Sequence, residues 1–205
     1  MSLLSNETLV LAIERLSCQK DFAKKLEWWL VSPHSAERWL QFELAYQLNH
    51  VFLGEYLVAC EIKVGGSLAD LAVFNAAGAR SPLWSNPPIE LLELKMPGNW
   101  HVKKGQIEGF HADIEKINDY PLPSVALACC VEVCGIAKGD LYDWCFSQID
   151  SVGKTYFDDM YAALTEKAPG AIERLKMIEV PSGGQCFTSM RLHPCIYRNT
   201  GACGN

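Results

Sequence analysis

Pro88-Ile-Glu-Leu-Leu-Glu-Leu-Lys95 is the stretch that decides the fold, because it is apolar on both strand faces until its charged end. Side chains two residues apart on a strand point to the same face, with their Cα atoms roughly 7 Å apart. Glu93 and Lys95 can therefore share a substrate. The other face carries only apolar side chains, at Leu92, Leu94 and Met96.

A second acid precedes this strand, within the apolar run Leu68-Ala-Asp-Leu-Ala-Val-Phe74. If the two strands pair, Asp70 comes close to Glu93, and two like charges at that distance are costly unless a cation lies between them. Mg²⁺, or Mn²⁺, is the expected cation, since it prefers carboxylate oxygens and can polarise a phosphoryl oxygen. Lys95 would then orient or deprotonate a water molecule and offset transition-state charge.

The periodicity of apolar residues predicts an α/β fold, with helices first and strands from about residue 54. Ser35 is a candidate N-cap for the third helix, and Gly65-Gly66 is typical of a hairpin turn. We expect these elements up to residue 134: two helices before Pro33, a helix from Ser35 to about Asn49, strands at Tyr56–Val64, Leu68–Asn75 and Pro88–Lys95, a helix from about His101 to Asn118, and a buried strand from Ser124 to Cys134.

The last seventy residues are less diagnostic. We expect helices at about Asp140–Ile149, Tyr156–Glu166 and Ala171–Leu175, then strands around Met177–Val180 and Cys186–Tyr197. The length of 205 residues suits a single domain, 1–205. We divide it into N-terminal helices at 1–34, a core at 35–134 and a C-terminal α+β extension at 135–205.

The composition favours a soluble protein, with 49% hydrophobic and 20% charged residues. No apolar stretch approaches the roughly 20 residues of a membrane span. The start, Met1-Ser-Leu-Leu-Ser-Asn-Glu-Thr8, lacks the pattern of a secretory signal, so we expect a cytoplasmic protein without a membrane partner. The net charge of −6 argues against a broadly basic nucleic-acid binder, so any DNA contact would use a local patch or a metal ion.

Nine cysteines occur without a repeated CxxC motif, and reduced, buried thiols are the expected state. A zinc site is an open alternative, although its spacings fit no finger or ribbon pattern. It would use Cys186, His193, Cys195 and Cys203.

The order of elements around Asp70 and Glu93-x-Lys95 resembles the PD-(D/E)xK nuclease superfamily, over about residues 35–134. The resemblance implies a restriction-endonuclease-like core in the order αβββαβ, with a central mixed sheet flanked by helices. It also implies metal binding by Asp70 and Glu93 and water activation with Lys95. The proline of the family motif is replaced here by Ala69.

The resemblance further implies an acid on the first core helix and a polar residue on the helix after the motif. Glu43 matches the family pattern better than Glu37, because it lies in the middle of the helix beside the apolar stripe. We therefore assign Glu43 as a third metal ligand and catalytic residue. Gln106 is a supporting residue on the later helix.

Glu-x-Lys alone is a weak signal, since the chain contains a second copy at Glu61-Ile62-Lys63. That copy precedes Asp70 and so fails the order of elements that the family requires. A metal-free ion-pair cluster of Asp70, Glu93 and Lys95 at a sheet end is the structural alternative.

The sequence thus predicts a Mg²⁺- or Mn²⁺-dependent endonuclease that hydrolyses DNA phosphodiester bonds. An alternative is a non-catalytic module of the same fold, which binds or assembles in a DNA-processing, defence or mobile-element complex. A thiol- or zinc-based redox protein is a third class, supported only by the number of cysteines. A homodimer through N-terminal helices that carry Trp28 and Trp29 stays open.

Overall fold

The computed structural model describes residues 2–30, 37–77, 86–97, 104–136, 156–168, 170–181 and 187–199. The expected helix at Asp140–Ile149 and the candidate cap Ser35 lie outside these ranges. In chain order the elements are α1 (Asn6–Ser17), α2 (Phe22–Leu30), α3 (Glu37–Val51), β1 (Tyr56–Val64), β2 (Ser67–Asn75), β3 (Glu90–Lys95), α4 (Lys104–Asn118), β4 (Ser124–Ile136), α5 (Tyr156–Thr165), β5 (Glu173–Arg174), β6 (Ile178–Val180) and β7 (Phe187–Asn199).

The strands form one mixed seven-stranded sheet, so the predicted α/β class with a central mixed sheet is confirmed. Its strand order is β1-β2-β3-β4-β7-β5, and β6 also pairs with β7. Only β3 and β4 run parallel, and α4 connects them, as parallel neighbours require a crossover. All the other pairs are antiparallel.

Helices cover both faces of the sheet. One apolar core joins α1, α2 and α3 to Leu92 and Leu94 of β3, and the other joins α4 and α5 to Leu91. Leu92, Leu94 and Met96 therefore share a face, as the sequence predicts, while Glu93 and Lys95 belong to the face with α4. This alternation follows from the two-residue period of a strand.

The hairpin of β1 and β2 changes its burial pattern at one pair of positions. Leu71 and Val73 pack in the α3-side core, and Ala72 and Phe74 pack in the α4-side core. Strict alternation would place Ala69 on the α3 side with Leu71, but Ala69 packs in the α4-side core. The alternation therefore reverses at Asp70. The pairing of β1 with β2 skips Glu61 and Asp70, which lie between the pairs Cys60↔Leu71 and Ile62↔Ala69. The backbone of Glu61 has a φ of 55°, in the left-handed region that non-glycine residues rarely adopt.

The strand expected around Cys186–Tyr197 is confirmed as β7, and it lies within the sheet. β7 pairs with β4 from Ser124↔Asn199 to Ile136↔Phe187. The helix that the sequence predicts at Ala171–Leu175 is wrong, because residues 173 and 174 form β5 on the edge of β7. Pairing with β7 outweighs the helical preference of this short segment, since local propensity is a weak determinant.

Candidate active site at the end of strand β3

Asp70 and β3 are joined by a side-chain hydrogen bond at the point where β2 and β3 separate. The paired register runs from Val73↔Glu90 to Leu71↔Leu92, so Asp70 is the next residue of β2, facing the position of Glu93. The Leu94 backbone N–H donates to Asp70 Oδ2 at 2.7 Å. The carboxylate therefore takes the place of a backbone carbonyl as the acceptor, and Asp70 lies near enough to Glu93 and Lys95 to interact electrostatically with both.

Glu93 is almost fully buried, with a relative exposure of 2%. Its Oε1 atom accepts a hydrogen bond from the Tyr120 hydroxyl at 2.8 Å and pairs with Lys116 Nζ at 2.8 Å. Lys116 also donates to the backbone carbonyl of Leu68. Lys116 thus links the start of β2 to Glu93, and both partners of Glu93 use the same carboxylate oxygen.

Lys95 lies between two carboxylates that come from helices. Its Nζ atom is 3.1 Å from Glu37 Oε2 at the start of α3 and 3.5 Å from Asp113 Oδ2 on α4. Burial alone would lower the pKa of Lys95, but Asp113 and Glu37 outweigh it and raise that pKa. Lys95 is therefore an ammonium at neutral pH, which favours orientation and charge stabilisation over deprotonation of water.

One face of α4 supplies the partners of β3. Gly109, Asp113, Lys116 and Tyr120 follow at spacings of four, three and four residues, which places them on one side of the helix and of its continuation. A Cβ atom at Gly109 would lie 3.2 Å from Lys95 Cε. The missing side chain therefore leaves room for the stem of Lys95.

The cluster holds more acid than base. Four carboxylates, from Glu37, Asp70, Glu93 and Asp113, surround the ammonium groups of Lys95 and Lys116. When all are ionised, the described residues of the cluster carry two more negative than positive charges.

The pKa values follow from burial and from this excess of acid. Burial raises the pKa of Asp70, against the hydrogen bond from Leu94. Burial, with the charge of Asp70, also raises the pKa of Glu93, although Lys116 and Tyr120 act in the opposite direction. For Asp113, burial together with Glu93 and Asp70 outweighs Lys95 and raises the pKa to about 7.

Of the residues predicted from sequence, the structure brings Asp70, Glu93 and Lys95 together, but Glu43 makes its contacts elsewhere. Its Oε1 atom pairs with Lys25 at 2.8 Å and accepts from the Trp39 indole N–H at 3.2 Å. Glu37 is the α3 acid that contacts Lys95. Six helix positions rotate a side chain by about 600°, so Glu37 and Glu43 point about 120° apart.

Gln106 lies in α4, but its side chain is outside the described part of the chain. The second Glu-x-Lys tripeptide makes different contacts. Glu61 pairs with Arg38 at 2.9 Å, and Lys63 is exposed.

Asp113, Lys116 and Tyr120 were missed by the sequence reasoning, which used only the apolar face of α4. A signal was present, because these three polar residues recur at helical spacing beside that face. Their relation to Glu93 depends on the crossover from β3 through α4 to β4, which spacing alone does not specify.

Asp70 and Glu93 each keep one carboxylate oxygen, Oδ1 and Oε2, without a hydrogen bond or ion pair within the described ranges. Two carboxylates are enough for Mg²⁺, which usually keeps several waters and takes its remaining ligands from substrate phosphates. Among the described residues, no three His, Cys, Asp or Glu side chains converge as a complete metal-binding group. The described residues of this site therefore do not form a closed metal cage.

Two residues of the alternative zinc set, His193 and Cys195, lie in the described strand β7. Cys195 is fully buried under the α4-side helices, and His193 pairs with Glu132 at 2.8 Å. Cys186 and Cys203 are outside the described residues, so this part of the zinc hypothesis remains a prediction.

No protein-family model, curated protein or solved structure matches this chain. Within the described residues, no helix is long and apolar enough to cross a membrane.

Proposed function

We propose that this protein is a divalent-metal-dependent endonuclease that hydrolyses DNA phosphodiester bonds at Asp70, Glu93 and Lys95. The observation that carries the proposal is the contact of Asp70 with Leu94, because it brings a second carboxylate beside the acid-x-Lys tripeptide. The order of α3, three strands, α4 and β4, with β3 and β4 parallel, supports a restriction-endonuclease-like core.

Asp70 and Glu93 would hold Mg²⁺ or Mn²⁺ through their open carboxylate oxygens. The close approach of four carboxylates to only two ammonium groups among the described residues supports a divalent cation, because a cation bound there would offset the cost of ionising buried carboxylates. When bound, such a cation polarises a phosphoryl oxygen and acidifies water.

The protein side chains would supply charge and orientation. Lys95 is held as an ammonium beside Glu93, where it can hydrogen-bond to a phosphate oxygen and stabilise the charge that develops there. Glu93 is fixed by Tyr120 and Lys116, so its free oxygen keeps one direction. Such preorganisation lowers the cost of reaching the reactive geometry.

DNA would bind through local contacts at this site. The chain carries a net charge of −6, so long-range attraction to a polyanion is absent and the binding free energy must come from the metal ion and nearby cations. We therefore expect weak DNA binding without divalent metal and a clear gain when the metal is added.

The direct test is plasmid cleavage with Mg²⁺ or Mn²⁺ by the wild type, Asp70→Asn and Lys95→Met. We expect cleavage by the wild type and its loss in both variants. Lys63→Met is the matched control, since Lys63 is the exposed lysine of the other Glu-x-Lys tripeptide, and it should cleave like the wild type. Equal cleavage by all four proteins would refute the assignment.

A second candidate function is a non-catalytic binding or assembly module of the same fold. The specific observation in its favour is that Glu93 and Lys95 already have ionic partners in the protein, Lys116 for the first and Glu37 and Asp113 for the second. Calorimetric titration separates the two functions. Mg²⁺ or Mn²⁺ binding that Asp70→Asn abolishes favours the enzyme, and no binding with or without DNA favours the module.

A further inference from the structure

The ammonium of Lys95 is held from two sides, and Asp113 is the more buried of its partners. The side chain of Asp113 is 13% exposed, whereas that of Glu37 is 30% exposed. Asp113 lies in the middle of α4, which packs against β3 and β4. The position of its carboxylate is therefore fixed by the packed helix.

The carboxylate of Asp113 is poorly satisfied by the fold itself. Its Oδ2 atom is buried and makes no hydrogen bond with any residue that the structure describes, but it forms an ion pair with the Lys95 ammonium at 3.5 Å. A buried carboxylate that is compensated by a long ion pair and not by a hydrogen bond costs stability, so its presence calls for an explanation other than folding. Contact with a functional lysine is such an explanation.

Gly109, one helical turn before Asp113, has a complementary role. The nearest atom to a Cβ built at Gly109 would be Lys95 Cε at 3.2 Å, closer than most real contacts. The stem of Lys95 therefore crosses α4 at Gly109, and its ammonium reaches Asp113. The two positions define both the path and the end point of the Lys95 side chain.

We propose that Asp113 is a positioning residue, which holds the Lys95 ammonium in place for the phosphodiester reaction. This inference rests on the proposed function. Asp113 acts through Lys95, and it neither binds the metal ion nor contacts the substrate. The residue lies outside the set that the resemblance to the nuclease superfamily implies, and it was not singled out from the sequence.

The test compares Asp113→Asn with Asp119→Asn, which changes an exposed acid near the end of the same helix. The pKa of Lys95 is measured by NMR after ¹³C-dimethylation of lysines, without metal or DNA. We expect that pKa to fall in Asp113→Asn and to stay unchanged in Asp119→Asn. The single-turnover cleavage rate with Mg²⁺ should fall in Asp113→Asn by roughly 10- to 100-fold, as expected for a misplaced catalytic group, with metal and DNA affinities within about twofold of the wild type.

Gly109→Ala provides a second test if Asp113→Asn does not fold, because it displaces Lys95 without removing a charge. It should lower the single-turnover rate and leave metal affinity unchanged. An unaltered Lys95 pKa in folded Asp113→Asn overturns the inference, whatever the cleavage activity. A fall in that pKa, combined with a wild type that cleaves no DNA, overturns the proposed function and leaves the contact between Asp113 and Lys95 confirmed.

Discussion

Asp70 accepts the backbone N–H of Leu94 at 2.7 Å, across the gap where β2 and β3 stop pairing. This bond gives Asp70 a structural role as well as its proposed role in metal binding. The two roles can be separated, because asparagine keeps an oxygen that can accept the Leu94 N–H but lacks the charge.

Asp70→Asn should therefore fold and yet lose metal binding, whereas Asp70→Ala should also lose stability. Leaving the Leu94 N–H without its acceptor costs about 1–3 kcal/mol when the group is buried. Urea unfolding measures the free energy of unfolding of both variants, and calorimetry measures Mg²⁺ binding. Equal stability of the two variants would contradict the structural role of the bond.

Removal of Lys116 should destabilise the protein, because it leaves Glu93 buried without its counter-charge. Lys116→Met is expected to lower the free energy of unfolding by about 2–4 kcal/mol at neutral pH, somewhat below the usual cost of breaking a fully buried pair because Lys116 is partly exposed. The double variant Lys116→Met with Glu93→Gln should recover much of that loss, since the unpaired charge is gone. Urea denaturation of the two single variants and the double variant gives the coupling free energy.

Asp113 predicts a pH dependence of stability whose sign is fixed by its raised pKa. In the folded protein the carboxyl group of Asp113 has a pKa of about 7, whereas in the unfolded chain its pKa is the ordinary value of 3.8. The contribution of Asp113 to the free energy of unfolding is therefore most favourable below about pH 4, and it is lost as the pH rises towards 7. Asp70 and Glu93 act in the same direction.

Asp113→Asn should make the stability curve flatter between pH 4 and 7, with Asp119→Asn as the control. Urea midpoints at pH intervals across this range provide the measurement. A curve of unchanged slope in Asp113→Asn would show that Asp113 is ionised in the folded protein throughout the range.

Gly109→Ala should have opposite effects on helix stability and on the site. Alanine favours a helix over glycine by about 1 kcal/mol, but its Cβ would press on Lys95 Cε. We expect thermal stability to be equal or higher while cleavage falls. A variant that loses both stability and activity would indicate a general packing defect at the interface of α4.

The buried thiols should be inert in the folded protein. Partial burial raises the pKa of Cys60 to about 11, and full burial raises the pKa of Cys129 to about 12 and that of Cys130 well above its ordinary value. Cys18 is exposed. Mass spectrometry after brief iodoacetamide treatment should find Cys18 labelled well before these three. Fast labelling of Cys129 or Cys130 in the native protein would instead support the redox class.

The strand pattern and the site tripeptide could be predicted from sequence because both follow a short local period. Alternation alone places Glu93 and Lys95 on one face, opposite Leu92 and Leu94, and the structure has that arrangement. The acid of α3 could not be chosen in the same way. Glu37 and Glu43 differ by a rotation of the helix about its axis, which is set by tertiary packing.

The same limit applies to Asp113 and Lys116. They approach β3 only because α4 is the crossover that connects the parallel strands β3 and β4, and it therefore packs on the face of the sheet beside β3. This arrangement depends on strand pairing between distant parts of the chain. The short strand β5 is a further example, since its two residues gain their structure from pairing with β7.

The reversal at Glu61 and Asp70 limits where this hairpin can tolerate insertions and deletions. A one-residue insertion in either strand would exchange the two faces beyond it, and it would move Asp70 away from Leu94. The turn at Gly65-Gly66 has both residues at positive φ and open space around them, so a longer loop there would leave the paired strands undisturbed. Related chains should therefore vary in length at the tip of the hairpin and keep the number of residues constant between Tyr56 and Glu61 and between Asp70 and Asn75.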